Sequence, residues 1–171
     1  MSGTSSFAFD LTDDFNPDLD LELSVEVPLT PAQLFQGWTD PEILPRWFCP
    51  RPWKVVECSI DLRPGGLFSN VMQSPEGERM PENRGCYLLI ERPQRLIWTG
   101  LMEQDFRPNV LPEGGFGFVC DLTFTARPEG GSTFHAVVKH TDAQGKARHE
   151  QMGFEAGWRT ALQQLVELYG Y

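Results

Sequence analysis

The sequence predicts an α+β fold in which a curved antiparallel sheet of about seven strands wraps around one long C-terminal helix. Two short helices are expected after the first strand. Three observations carry this reading. Seven strand-like segments, alternating or apolar, lie between Leu21 and His140. Most are joined by short turns rich in glycine and proline, which makes successive strands antiparallel. Finally, Phe154, Trp158, Ala161, Leu162, Leu165, Leu168 and Tyr169 recur at helical spacing as one apolar stripe. A sheet with one apolar face needs a cover, and no other stretch is long enough to supply it.

The elements follow in order. Leu21, Leu23, Val25 and Val27 alternate with Glu22, Ser24 and Glu26, the period of a half-buried strand. Thr30-Pro31-Ala32-Gln33 supplies an N-cap, a proline at the first helical position and a capping-box glutamine, opening a helix through Trp38. Asp40-Pro41-Glu42 repeats the device for a second short helix carrying Ile43, Leu44, Trp47 and Phe48, interrupted by Pro45. Beyond Trp53 the pattern turns to strands. Val56, Cys58 and Ile60 alternate, Pro64-Gly65-Gly66 turns the chain, and Leu67 to Met72 returns. Arg84 to Glu91 and Leu96 to Leu101 flank a hairpin-like turn at residues 92–95. The stretch from Glu103 to Gly117 reads as a long loop, either a lid or a plain surface loop. Phe118 to Ala126 and Thr133 to His140 complete the strands, and a continuous helix is expected from Phe154 to Tyr169.

Composition narrows the function classes. A chain of 171 residues is one domain of ordinary size. Its formal net charge of -10 argues against a phosphate-backbone partner and against an anionic membrane surface. No stretch reaches the apolar length of a membrane span, and the start Met1-Ser2-Gly3 lacks a signal sequence, so a cytoplasmic protein is expected. Cys49, Cys58, Cys86 and Cys120 show no C-x-x-C spacing and read as buried free thiols. Residues 1–20 form an acidic arm in which Phe7, Phe9, Leu11 and Phe15 sit among aspartates. Such an arm is mobile, or docks through its phenylalanines, with a second copy of the chain as one surface for it. Residues 21–171 form the domain.

Three motifs in this order, Thr39-Asp40-Pro41-Glu42 to Trp47, Asp61-Leu62-Arg63-Pro64-Gly65-Gly66, and Gly153-Phe154 through Gly157-Trp158 to Tyr169, resemble a known family. The likeness is to single-domain proteins similar to the C-terminal domain of the heat-shock protein 90 ATPase activator, within the START-like (SRPBCC, helix-grip) superfamily. It spans roughly Leu21 to Tyr171. The resemblance implies the helix-grip fold and an internal cavity of the kind START-like relatives use for lipids, hormones, polyketides or other apolar molecules. It also implies that the Asp61-Gly66 motif is a structural landmark.

Catalytic signatures are absent: there is no G-x-S-x-G, H-E-x-x-H, P-loop or dinucleotide fingerprint. The histidines are His135, His140 and His149, and none has a familiar metal spacing, so no metal and no cofactor is expected. Asp61 invites a role as base, yet an Asp and an Arg two apart before a glycine turn need no more than structure.

Strand parity points to the interior instead. If Phe68 and Met72 face inward, so does Asn70; if Phe134, Ala136 and Val138 do, so does His140. Each is either a strand-end residue or a core polar group bonded to backbone, or else a group that orients a ligand in an apolar cavity. Phe35, Trp38, Trp47, Trp98, Phe118, Phe124, Trp158 and Leu162 are the candidate apolar walls, with core filling as the other reading. A binding module for an apolar or amphipathic small molecule is therefore favoured. An enzyme of the polyketide cyclase kind is the alternative. A co-chaperone of the heat-shock protein 90 ATPase comes third, because the eukaryotic activators carry a separate N-terminal domain that an arm of about twenty residues cannot supply.

Overall fold

The computed structural model describes residues 14–171. Phe7, Phe9 and Leu11 of the acidic arm lie outside the described residues. Nine strands and three α-helices make up the described part: β1 (Asp20–Val27), α1 (Pro31–Thr39), β2 (Lys54–Ile60), β3 (Leu67–Gln73), β4 (Asn83–Glu91), β5 (Arg95–Thr99), β6 (Met102–Glu103), β7 (Arg107–Pro108), β8 (Phe118–Ala126), β9 (Ser132–His140), α2 (Ala143–Gln151) and α3 (Phe154–Leu168). Seven of the strands make one antiparallel sheet in the order β1-β9-β8-β5-β4-β3-β2. This is the helix-grip arrangement the alternation and the C-terminal stripe predict.

Local sequence accounts for each element. Thr30 and Gln33 exchange the two hydrogen bonds of a capping box at the start of α1, at 3.2 and 2.9 Å. The expected second helix is only a 3-10 turn at Leu44–Arg46. Pro45 lies within it and cannot donate to a longer ladder. Asp40 caps the preceding turn by accepting from the Glu42 amide at 2.8 Å. The loop expected over residues 103–117 is partly ordered: β6 and β7 pair as a small ribbon around a 3-10 turn at Gln104–Phe106. Arg63 donates to Asp61 at 2.8 Å and to Asp105 at 3.2 Å, so the Asp61-Gly66 turn holds the base of this ribbon. Between β9 and α3 the chain forms α2, capped by Asp142 accepting from the Gly145 amide at 2.7 Å. Gly153, at φ 85°, makes the corner between α2 and α3 that a side chain would strain. No helix among the described residues is long and apolar enough to cross a membrane.

The core lies between the concave sheet face and α3. Leu23 of β1, Phe134 and Ala136 of β9, Leu122 of β8 and Leu96 of β5 meet Leu162 and Leu165 there. Two devices hold α3 in place. A Cβ on Gly37 would lie 2.7 Å from a Leu165 methyl, so glycine lets α1 and α3 approach. Beside it the buried Gln164 side chain donates to the carbonyls of Trp47 (3.1 Å) and Cys49 (2.9 Å) and accepts from the Arg51 amide (2.9 Å).

Truncating this seam is expected to be costly. Leu165→Ala should lower unfolding free energy by about 2–5 kcal/mol. Gln164→Ala, which strands three backbone groups, should cost about 2 kcal/mol or more. Gln163→Ala, at an exposed position one residue earlier, should stay within about 0.5 kcal/mol. Urea titration of the three variants checks this ordering.

Candidate functional site

A continuous network of aromatic rings lies under α3. Trp38 of α1 is its hub, packing edge-on against Trp47 at 5.0 Å and Phe48 at 5.7 Å. It also stacks on Phe134 at 6.4 Å and lies 6.1 Å from Trp158. Trp98 of β5 meets Phe68 at 4.9 Å and Phe118 at 5.5 Å. Tyr87 of β4 sits opposite Trp98 across the strand pair and touches Phe68 at 5.4 Å.

Three polar atoms in this network are buried without a hydrogen-bond partner among the described residues: the indole N–H of Trp38, the indole N–H of Trp98 and the Tyr87 hydroxyl. An unmet buried donor costs about 1–3 kcal/mol, so three in one cluster mark a region that needs acceptors. The neighbouring Trp47 indole shows the satisfied case, donating to the Gly37 carbonyl at 2.9 Å.

At the edge of the network lies a pair of buried histidines. His140 closes β9 opposite Phe118, and His149 reaches it from α2. The ring of His140 contacts the Leu19 carbonyl through Nδ1 at 2.8 Å and His149 Nδ1 through Nε2 at 2.9 Å. Phe116, Phe118, Phe154 and Trp158 enclose His149, with Phe118 stacked on it at 4.9 Å. Burial depresses both histidines. His149 falls to about 4, with the neighbouring His140 adding to the effect. For His140 burial and Lys146 outweigh the Leu19 carbonyl, Asp20 and Asp142, which favour the charged ring.

The thiols are held protonated in the same way. Burial raises Cys49 and Cys58 to about 11 and lifts Cys120 well above its usual range, with Asp121 adding to the last. The Tyr87 phenol is pushed up by burial and then by Cys58. No group of three or more His, Cys, Asp or Glu among the described residues is placed to hold a metal ion.

The residues named from sequence divide into those the network joins and those it leaves apart. Trp38, Trp47, Phe68, Trp98, Phe118 and Trp158 are joined, and Phe124 stacks on Phe134 at 5.9 Å behind them. Leu162 is buried in the core above. Phe35 is buried, but its ring meets the Arg92 guanidinium at 5.2 Å, beside a surface cleft of about 570 Å³ between α1 and the β4–β5 turn. Asn70 is buried and accepts from the Asn83 amide at 3.1 Å, while Met72 on the same strand is half-buried. Three strands separate β3 from β9, and Asn70 and His140 have no partner in common. Tyr87, Phe48, Phe116 and His149 belong to the site without any sequence signal that singled them out. The continuous apolar run around Tyr87 carries no parity, and the pairing of His140 with His149 needs the turn at Thr141-Asp142 that folds α2 back on the end of β9.

The sheet, the covering helix and the aromatic interior define a helix-grip domain of the START-like kind. The family model for "Activator of Hsp90 ATPase homolog 1-like protein" matches residues 28–170, and the chain belongs to that family. Among solved structures it is similar to protein NE0264 of Nitrosomonas europaea, at 36% identity and TM-score 0.83, covering 90% of this chain and 96% of that one. A Rhodobacter sphaeroides protein shares 26% identity at TM-score 0.75, covering 90% and 95%. The fold also matches an AHSA1-like protein of Aeromonas hydrophila, at 21% identity and TM-score 0.60, covering 87% and 90%. No curated protein matches the chain.

The depressed histidine sets a pH dependence. Unfolded, His149 takes up a proton near pH 6.5, whereas folded it resists until about pH 4. The unfolded state binds more protons in that window, so stability is complete above about pH 6.5 and falls as pH drops toward 4. His149→Phe should remove a slope of up to about 1.4 kcal/mol per pH unit. Urea unfolding at a series of pH values measures it, and an unchanged slope would refute the assignment.

Proposed function

We propose that this protein binds a small, flat, largely apolar molecule in the aromatic interior beneath α3. The observation that carries this reading is the set of three buried, unpartnered donors on Trp38, Trp98 and Tyr87. Ring faces suit an aromatic or polycyclic body, and the donors suit carbonyl, hydroxyl or ether oxygens on it. Binding is favoured over catalysis because the titratable groups nearby are held neutral: thiols raised, histidines lowered. None is poised near neutral pH to exchange protons with a substrate.

Access runs along the seam between the 104–117 loop and α2. Arg148 ties the two by donating to the Gly114 carbonyl at 2.8 Å, beside a cleft of about 170 Å³ lined by Phe116, Gly145 and Arg148. Opening there displaces Phe116, which packs against both histidines.

Native mass spectrometry of protein purified from its own host should retain a small organic molecule. A substitution separates ligand binding from architecture. Tyr87→Phe removes an unmet donor, so the unliganded protein should be as stable as the parent or up to about 1 kcal/mol more stable. Its affinity for acetonaphthone, a planar carbonyl probe followed by tryptophan fluorescence, should fall about three- to tenfold. Lower stability with unchanged affinity would make the Tyr87 hydroxyl structural and sink the proposal.

A further inference from the structure

The surface cleft between α1 and the β4–β5 turn holds two opposite charges that do not pair. Its volume of about 570 Å³ falls in the range of small-molecule sites, about 300–1,000 Å³. Arg92 and Asp40 are the charged residues that line it, and no ion pair joins them. In a chain with 24 acidic residues against 14 basic ones, Arg92 meets no carboxylate among the described residues. Its guanidinium lies over the Phe35 ring instead, 5.2 Å from the centroid. Cation–π attraction holds the group at the cleft, but a ring face supplies no lone pair, so the N–H donors still need an acceptor.

The opposite pole is built by the end of α1. Asp40 accepts from the Glu42 amide through Oδ1 at 2.8 Å, which leaves Oδ2 without a partner among the described residues. It sits at the negative end of the helix dipole, which favours a cation there. Gln36, one turn earlier, also lines the cleft. Its side-chain oxygen accepts from the Tyr169 hydroxyl at 2.8 Å, so the amide nitrogen is left as a donor with no acceptor among the described residues. Ala32, Pro41, Leu62 and Pro93 supply apolar walls.

This arrangement discriminates between ligand charges. A molecule with only a carboxylate would suit Arg92 but face Asp40 and a net charge of -10. A molecule with only an ammonium would leave Arg92 unmet. We infer that the cleft binds a zwitterion, an α-amino acid with a large apolar side chain. Its carboxylate accepts from Arg92 and Gln36, its ammonium donates to Asp40 Oδ2, and its side chain lies against Leu62 and the two prolines. One carbon separates the two charges of such a molecule, so it answers both groups across the cleft without their meeting. The ligand does not enter the aromatic interior, and the inference stands apart from the interior-binding reading.

Three compounds with the same phenyl body test it: L-phenylalanine, hydrocinnamate with the carboxylate alone, and phenethylamine with the ammonium alone. In NMR titrations of the backbone amides, L-phenylalanine should bind at least about tenfold tighter than either, the effect of one charge-assisted hydrogen bond. The shifted amides should centre on Gln36, Asp40 and Arg92. Arg92→Gln should weaken L-phenylalanine about tenfold and phenethylamine less than about twofold. Asp40→Asn, which keeps an oxygen for the Glu42 amide, should weaken L-phenylalanine about tenfold and leave hydrocinnamate no weaker. Thermal unfolding of both variants should match the parent; if either fails to fold, the three-compound comparison and the shift map in the parent protein decide. Absence of L-phenylalanine binding up to about 10 mM, equal binding of either singly charged compound, or unchanged L-phenylalanine affinity in either folded variant overturns the inference. Shifts confined to Trp38, Tyr87 and Trp98 would put the amino acid in the interior and overturn this inference while leaving the interior reading intact.

Discussion

The close approach of α3 to α1 is the constraint on which the other contacts depend. Gly37 makes room for Leu165, and the adjacent Gln164 ties the helix to the backbone at Trp47, Cys49 and Arg51. One apolar contact and one fully bonded amide thus secure the helix at neighbouring positions. Dispersion alone would let a helix slide over a smooth sheet, whereas three directed hydrogen bonds fix its axial position. With that position fixed, Trp38 of α1 falls against Trp98 and Trp158 rather than against solvent, with Trp47 packed on it from the 47–51 segment.

Much of the fold is legible in the sequence because its signals are local. Strand parity sorts β1, β8 and β9 into inner and outer faces, and the Thr30-Gln33 box announces α1. Where the reading stops, a physical reason is visible. A proline confines the second helix to one 3-10 turn. α2 is built of polar residues around Lys146, Arg148 and Glu150, so periodicity has nothing to register, and only its Asp142 cap is readable. The irregularity in β4 between Tyr87 and Leu89 shifts the register inside an unbroken apolar run, which hides the inward direction of Tyr87. The site suffers more than the fold, since His149 meets His140 only through the turn at Thr141-Asp142. Parity places His140 inside and says nothing of its partner.

The interior is chemically quiet and geometrically polar. Its thiols, phenol and imidazoles are all pushed toward their neutral forms by the same loss of hydration. One end therefore differs from the other in its arrangement of donors and acceptors rather than in charge. Net acidity stays on the outside, where Arg63, Arg79 and Arg127 pair with carboxylates at the surface. Two described carboxylates are buried: Asp121, held on the outer sheet face by two bonds from Arg95 at 3.1 and 2.8 Å, and Asp20, which accepts from the Asn16 amide at 2.8 Å.

The strand order has a consequence for the birth of the chain. Among the described residues β1 is synthesised before every other strand, yet its one described neighbour in the sheet is β9, where Asp20 pairs with Lys139. At about 5–20 residues per second of synthesis, β1 waits on the order of ten seconds with its edge unpaired and Leu21 and Leu23 uncovered. The helix that closes the core comes later still. Nascent domains with so distant a first contact cannot mature piecemeal from the N-terminus, and most of the chain must emerge before the sheet can close. The acidic residues Glu22 and Glu26, which face outward along β1, give that waiting strand a charged edge that discourages pairing with other chains.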